Sequence, residues 1–385
     1  MEKIRSIIKD NSQSDIDDII LKINDYYSSN IYNKEHILIT QLNCIGDALL
    51  LLPFIEGVKK LYPSAIITIV CYSHVKDVFS LIEDINVIDI DVIDFASFLN
   101  DRLYISYDAE SLLKLTYIAE KVLKYGNVTK SLYPRLINES SWDFEMIINC
   151  LAGSKERIGL SLDSKSNIFF NNLIKIDKNI IHTLDRQNYL LQYLGLSSLQ
   201  FNLKPLKRII SDNYICIGLG GSFLNKKYPV RKYAKALNEI NKHVVLIGGT
   251  NEEKDANKLC SLLTCSYDNY VNKLSLLDSI ALVSNASFYI GNDTWCVHVA
   301  SFKNIPSIVL YKESIKQENI DPEHLSMMRI FESKSTKHIN LRPEKALSPC
   351  NKITNEVGYC SAKYAHCINQ IKPEEIIKAY YSLEE

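Results

Sequence analysis

Residues 36–72 read as a short apolar strand (HILIT), a turn (QLNCIGD), an apolar helix (ALLLLPFIEGVKKLYP) and a second β-rich run (AIITIVCY). A strand, helix and strand in that order imply a parallel pair joined by a crossover. Parallel sheets need helices on both faces, so this one stretch sets the class as α/β. Further strand candidates are INVIDIDV and FEMIINC, with helical stretches at 108–124 and 183–195. The segment 196–213 (LSSLQFNLKPLKRIISDN) loses periodicity and carries a Pro, which suits an interdomain connection. A second alternation follows: YICIGLGG, a helix from about 229, HVVLIGG, a helix from 251, a helix over 274–284, ASFYIGND, a helix from 294 and PSIVLY.

A chain of 385 residues is too long for one ordinary core. The tandem alternation predicts two Rossmann-like domains with parallel sheets facing across a central cleft. The expected division is 1–30, a helical N-terminal extension; 31–200, a first Rossmann-like domain; and 201–385, a second. In the extension Ile16, Ile19, Ile20 and Ile23 share one helix face after a polar NSQSD start. The last helix, PEEIIKAYYSLEE, begins with Pro and two acids, as a helix N-terminus favours.

Lys and Arg total 44 against 45 Asp and Glu, so no global positive field exists to hold a nucleic-acid backbone. The start MEKIRSIIKDNSQSDIDD lacks an apolar stretch of signal-peptide length, and no later run approaches the ~18 apolar residues of a spanning helix. The expected location is therefore the cytosol, where ten cysteines are thiols or metal ligands rather than a disulfide framework.

Four turns carry the chemistry. Asn43-Cys44-Ile45-Gly46-Asp47 lies between the first strand and first helix, where ligands bind in open α/β sheets. Gly46 allows close backbone approach, and Asp47 either points a carboxylate into the crevice or caps the helix. Gly218-Leu219-Gly220-Gly221-Ser222, followed by Lys226 and Lys227, offers N–H groups and cations to a diphosphate, without the spacing of a P-loop. Gly248-Gly249-Thr250-Asn251-Glu252 could set an acid against ribose hydroxyls or simply begin a helix. Gly291-Asn292-Asp293-Thr294, with His298 a turn later, presents donors to an anion, though a lone His there also suits packing.

Laid end to end, ILITQLNCIGDALLLLP, ICIGLGGSFLNKKYP, VVLIGGTNEE and LSLLDSIALVSNASFYIGNDTWCVHVASFKNIPSIVLY resemble the successive blocks of glycosyltransferase family 9, the ADP-heptose:lipopolysaccharide heptosyltransferases and their bacterial relatives. The resemblance spans roughly residues 36 to 312. It implies a GT-B fold, inverting transfer and no catalytic metal or cofactor, with the nucleotide sugar on the C-terminal domain and the acceptor on the N-terminal one. By position, Asp47 resembles the general base and Lys226 the diphosphate-contacting lysine. Glu252 resembles the ribose-binding acid, and Asp293, Thr294 and His298 sit in the block lining the donor diphosphate. Gly220, Gly221 and Ser222 resemble further donor contacts, and Asn43 and Gly46 lie on the acceptor side. Trp295 and Cys296 replace the family's usual small residues, and Gly218-Leu219 replaces its His-Pro, so the sugar need not be heptose.

The implied function is transfer from a nucleotide sugar such as ADP-heptose to a hydroxyl of lipopolysaccharide or another cell-surface glycan. A lipid-linked saccharide acceptor would bring the chain to the inner membrane face, and a protein side chain is an alternative acceptor. Two competing readings are a sugar-nucleotide epimerase or hydrolase on the same fold, and a non-catalytic GT-B scaffold. Cys350, Cys360 and Cys367, spaced C-x9-C-x6-C with His366 beside the last, raise a structural zinc or iron site. In some relatives of the family cysteines of this region bind iron, yet the spacing fits no standard zinc motif and free thiols are the simpler reading.

Overall fold

The computed structural model describes residues 1–29, 32, 34–91, 109–136, 143–163, 167–197, 200–221, 226–313, 331–345 and 367–384. The chain divides into two compact units, Met1–Gln200 and Phe201–Glu385.

The first unit holds α1 (Glu2–Asp10), α2 (Ile16–Tyr27), β1 (His36–Gln41), α3 (Ile45–Leu61), β2 (Ile66–Tyr72), the short α4 (Lys76–Phe79), β3 (Asn86–Ile90), α5 (Ala109–Leu123), β4 (Lys130–Leu136), α6 (Asp143–Leu151), β5 (Glu156–Ser161), β6 (Asn172–Lys175) and α7 (Thr183–Tyr193). Its strands form one parallel sheet in the order β3-β2-β1-β4-β5-β6. The apolar β1 is buried along its whole length, as a central strand covered on both faces requires. The helix after it is apolar all round and buried from Ala48 to Ile55, which identifies an interior helix. Each of its buried leucines contributes about 2 kcal/mol relative to an exposed one. Gly57 on α3 lets the Leu191 side chain of α7 approach so closely that a Cβ there would overlap it.

The N-terminal helices pack on this unit. Ile19, Ile20 and Ile23 are buried, as the spacing predicts, and Ile16 is half-buried. Arg5 of α1 pairs with Glu120 of α5 at 2.7 Å, and the Tyr27 hydroxyl of α2 donates to Leu151 O of α6 at 3.0 Å.

One strand expectation is corrected. FEMIINC lies in the helix α6, and the strand beside β1 is KSLYPRL instead. Residues 144–150 are buried without interruption, so no amphipathic period existed to separate a buried helix turn from a buried strand.

The second unit holds β7 (Ile215–Gly218), α8 (Val230–Ile240), β8 (Val244–Ile247), α9 (Glu253–Cys260), β9 (Tyr267–Asn269), α10 (Leu276–Asn285), β10 (Phe288–Asn292), α11 (Trp295–Phe302), β11 (Ser307–Leu310), β12 (His338–Leu341) and α12 (Pro373–Glu384). Its parallel sheet runs β12-β11-β10-β7-β8-β9. Numbered from the first strand of each unit, both sheets have the same order, 3-2-1-4-5-6, that of a doubly wound nucleotide-binding fold. The last helix lies against α8 and the sheet: Lys235 pairs with Glu374 at 2.5 Å, and Phe288 of β10 packs on Tyr380 at 4.8 Å between ring centres. Among the described residues no helix is long and apolar enough to cross a membrane.

Candidate active site

In each sheet the strand order reverses between two neighbours, β1 and β4 in the first unit and β7 and β10 in the second. Helices leave such a pair toward opposite faces, so the carboxyl ends of the two strands open onto a crevice. The sequence motifs fall at these ends.

In the first unit β1 ends at Gln41, Leu42–Cys44 make the turn, and α3 begins at Ile45 with Cys44 as its N-cap. Asp47 is therefore the third helical residue rather than the cap. It is half-buried, as are Asn43 and Gly46, and lies in the first turn of the helix. The neighbouring strand β4 carries an irregularity: Tyr133 pairs with Gly159 and Leu136 with Leu160, leaving Pro134 and Arg135 without opposite partners on β5. Proline has no N–H for a ladder, which suits it to a bulge. Arg135 pairs with the fully buried Glu145 of α6. The other Glu145 oxygen accepts from Leu42 N–H. In the amide orientation that satisfies its neighbours, Asn43 donates to Leu42 O at 2.8 Å and accepts from the second Arg135 amino group.

Burial pushes the Glu145 carboxyl up, against the opposing pull of Arg135 and Leu42 N–H, and Asp47 pushes the same way as burial. Burial works against the Arg135 charge, but Glu145, Tyr133 and Asp47 outweigh it and raise that group's pKa. Tyr72, at the end of β2, is pushed up to about 12 by burial, then by Glu145 and Cys44.

In the second unit three turns lie side by side, since Gly218 of β7 is in register with both Gly291 of β10 and Ile247 of β8. Asn292, 1 % exposed, ties the β10 turn to the β7 turn. Its Nδ2 donates to Leu219 O and Gly220 O, both at 3.0 Å. Its Oδ1 accepts from Tyr228 N–H and the Tyr233 hydroxyl, both at 3.1 Å. The glycines of these turns divide by role. Tyr289 seats its hydroxyl beneath Gly218 and Gly291, where a Cβ on either would overlap it. A Cβ on Gly220 would meet nothing closer than Thr294 Cγ2 at 3.8 Å. Gly218 and Gly291 are thus needed for packing, and Gly220 leaves the turn open.

The cations of this edge sit beside acids. Lys226 Nζ lies 2.8 Å from Asp293 Oδ2, and Lys227 Nζ lies 2.6 Å from Glu252 Oε1. Glu252 is buried and its other oxygen accepts from Gly249 N–H at 2.9 Å, the contact of an ordinary first-turn residue. Thr294 is the N-cap of α11, and its hydroxyl is buried beside Tyr289 and Cys296 without a hydrogen bond of ordinary geometry. His298 is buried one turn later. Cys296 is buried too, and burial pushes its thiol up to about 12, so it is an inert core residue.

The structure brings Asn43, Gly46 and Asp47 together at one sheet edge, and Gly220, Gly221, Lys226, Glu252, Asp293 and Thr294 at the other. Ser222, Cys350, Cys360 and His366 lie outside the described residues, and Cys367 is buried beside a 3-10 turn. Among the described residues no cluster of His, Cys, Asp and Glu is placed to hold a metal. Sequence reasoning missed Arg135, Glu145 and the bridging role of Asn292. A charge inside the apolar run FEMIINC and the Pro134-Arg135 break were the available signals.

Comparison with known proteins adds the family. The profile of glycosyltransferase family 9 (heptosyltransferase) matches residues 149–342, a span that holds the three turns of the second unit and begins beyond Asp47. Lipopolysaccharide heptosyltransferase 1 of Campylobacter coli is 25 % identical over 286 residues, covering 66 % of this chain and 72 % of the relative. Among solved structures, a family 9 glycosyltransferase of Veillonella parvula superposes with a TM-score of 0.67 at 18 % identity, covering 92 % of this chain and 99 % of its own. The E. coli ADP-heptose lipopolysaccharide heptosyltransferase II gives 0.64 at 16 %, covering 91 % and 98 %. The E. coli heptosyltransferase WaaC with ADP gives 0.65 at 15 %, covering 90 % and 99 %. These likenesses show the GT-B fold.

Proposed function

The chain belongs to glycosyltransferase family 9 and is a glycosyltransferase, and on that premise we propose that it transfers heptose or a related sugar, with inversion, from ADP-heptose to a hydroxyl of lipopolysaccharide or a similar surface glycan. The observation that supports this most is that each motif set lies at the switch point of its own sheet: Asp47 at β1/β4, and the Gly220, Asp293 and Thr294 turns at β7/β10.

An acceptor hydroxyl has a pKa far above 7. Asp47 takes its proton as the oxygen attacks the anomeric carbon and the bond from that carbon to the diphosphate oxygen breaks. A single displacement inverts the anomeric centre. The departing nucleoside diphosphate gathers negative charge, which Lys226 and the N–H groups at Gly220 and the start of α11 stabilise. Lys226 is held ready by Asp293, whose charge it shares until the diphosphate arrives. With that charge supplied by the protein, transfer proceeds without a divalent ion. Glu252 completes the donor site at the ribose, and a cytoplasmic chain would meet a lipid-linked acceptor at the membrane surface.

The test is release of ADP from ADP-heptose in the presence of heptose-deficient lipopolysaccharide, with the product anomer read by NMR. Asp47→Asn lowers the rate about a hundredfold or more while leaving thermal unfolding unchanged. ADP-heptose raises the melting temperature of the wild type, and Lys226→Met loses that rise. Intact transfer by the Asp47 variant would refute the mechanism, and donor consumption without acceptor would point to an epimerase or hydrolase.

A further inference from the structure

The turn that carries Asp47 is held by side chains of two other elements, although a strand-to-helix turn can close with backbone alone. Glu145 is fully buried, and one of its oxygens takes the N–H of Leu42, the first residue beyond β1. The other oxygen holds Arg135, whose second amino group reaches Asn43 in the same turn. Arg135 is aimed there by the bulge at Pro134, which breaks the β4 register between Tyr133 and Leu136, and its guanidinium lies over the Tyr133 ring at 5.2 Å. A buried ion pair of this kind adds little net stability, because desolvation consumes most of the attraction. Its expense is better explained by what it fixes. Bulges next to active sites commonly re-aim one side chain.

We infer that Arg135 and Glu145 are positioning residues for Asp47: together they lock the Leu42–Asn43 turn from which α3 and its third residue, Asp47, start. This rests on Asp47 being the general base. Asp47 is electrostatically coupled to both Arg135 and Glu145, which carry opposite charges, so removing either one should move the pH dependence of transfer in the direction its sign dictates. Among the described residues, the charged and titratable groups at this site include Arg135 from β4 and Glu145 from α6, both coupled to Asp47, and Cys44 on its own turn, with Tyr72 of β2 coupled to Glu145 and Cys44.

The test is the pH dependence of kcat/KM for transfer from ADP-heptose to heptose-deficient lipopolysaccharide. Arg135→Met removes the cation and moves the acid limb up by about one pH unit. Glu145→Gln removes the competing carboxylate, leaves the guanidinium to Asp47 and moves the limb down. Arg135→Lys keeps the charge but cannot hold Glu145 and Asn43 at once, so the limb stays in place while kcat falls about tenfold or more. KM for ADP-heptose is unchanged in all three, since the donor residues belong to the other unit. If Arg135→Met does not fold, the Lys and Gln variants carry the test. An acid limb that stays at its wild-type position in Glu145→Gln, or a donor KM that changes while kcat does not, overturns the inference. Asp47→Asn is measured alongside: retained transfer there overturns the general-base reading itself, whereas lost transfer with unmoved limbs overturns only the positioning.

Discussion

Replacing Asn292 with Ala should destabilise the second unit more than any other single polar substitution at the candidate site. The side chain is 1 % exposed and makes four hydrogen bonds, donating to Leu219 O and Gly220 O and accepting from Tyr228 N–H and the Tyr233 hydroxyl. Truncation leaves two carbonyls, one N–H and one hydroxyl without a partner. At about 1 kcal/mol for each lost bond the cost is ~4 kcal/mol. For a unit of this size 1 kcal/mol shifts the midpoint by roughly 2–4 °C, so the unfolding transition should fall by about 10 °C. The assay is differential scanning calorimetry, with ADP affinity measured by titration calorimetry at a temperature where the variant is folded. Affinity should fall as well, because Leu219 and Gly220 belong to the turn assigned to the diphosphate. Asn292→Asp retains the acceptor but sets a carboxylate oxygen against two carbonyls, and should be no better. A drop of less than about 2 °C in both variants would refute the bridging role.

Iodoacetamide should label Cys44 ahead of Cys71, Cys150, Cys216 and Cys296, because it is exposed while those are buried and burial pushes their thiols up. Transfer should fall in step with labelling, and Cys44→Ala should be protected, as peptide mapping with activity assays would reveal. His36 is buried between Gly126 O and Thr68 Oγ1, and burial lowers its pKa below the ordinary value. Its unfolded state therefore binds the proton first, so its contribution is present above about pH 6.5 and is lost as pH falls toward the depressed folded value. Urea unfolding from pH 7.5 to 5 should show a steeper loss in wild type than in His36→Asn, and parallel curves would contradict the assignment.

The strand and helix order of the second unit was legible because its strands are short apolar runs closed by glycine or polar turns, as in ICIGLGG and VVLIGG. Its edge strands β9 (YDN) and β12 (HINL) were not, since they are short, polar and half-exposed and owe their strand form to their neighbours. In the first unit, FEMIINC misled through uniform burial. The candidate site was legible in its placement where one turn carries its own polar groups, as at Asp47 or Lys226, and illegible where a group acts across elements. Nothing adjacent in sequence ties Glu145 to Leu42, 103 positions earlier.

That limit has a physical reason which also bears on function. A switch point is made by two strands distant in sequence, so each crevice is lined from two strand ends: 42–47 with the bulged end of β4 at 133–136 in the first unit, and 218–221 with 291–294 in the second. In the second unit both turns are written in glycines and acids, which a reader can recognise, and Asn292 joins them through main-chain atoms. In the first unit the partner strand end carries Pro134 and Arg135, whose meaning appears only when the bulge brings Arg135 to Asn43. On the proposed function the second-unit turns meet a donor diphosphate, which presents the same charge in every nucleotide sugar, so they answer a fixed chemical demand. If Asp47 is the base proposed, the turn around it must be held in place beside the acceptor, and the Arg135–Glu145 pair does so through contacts that reach the turn from two other elements.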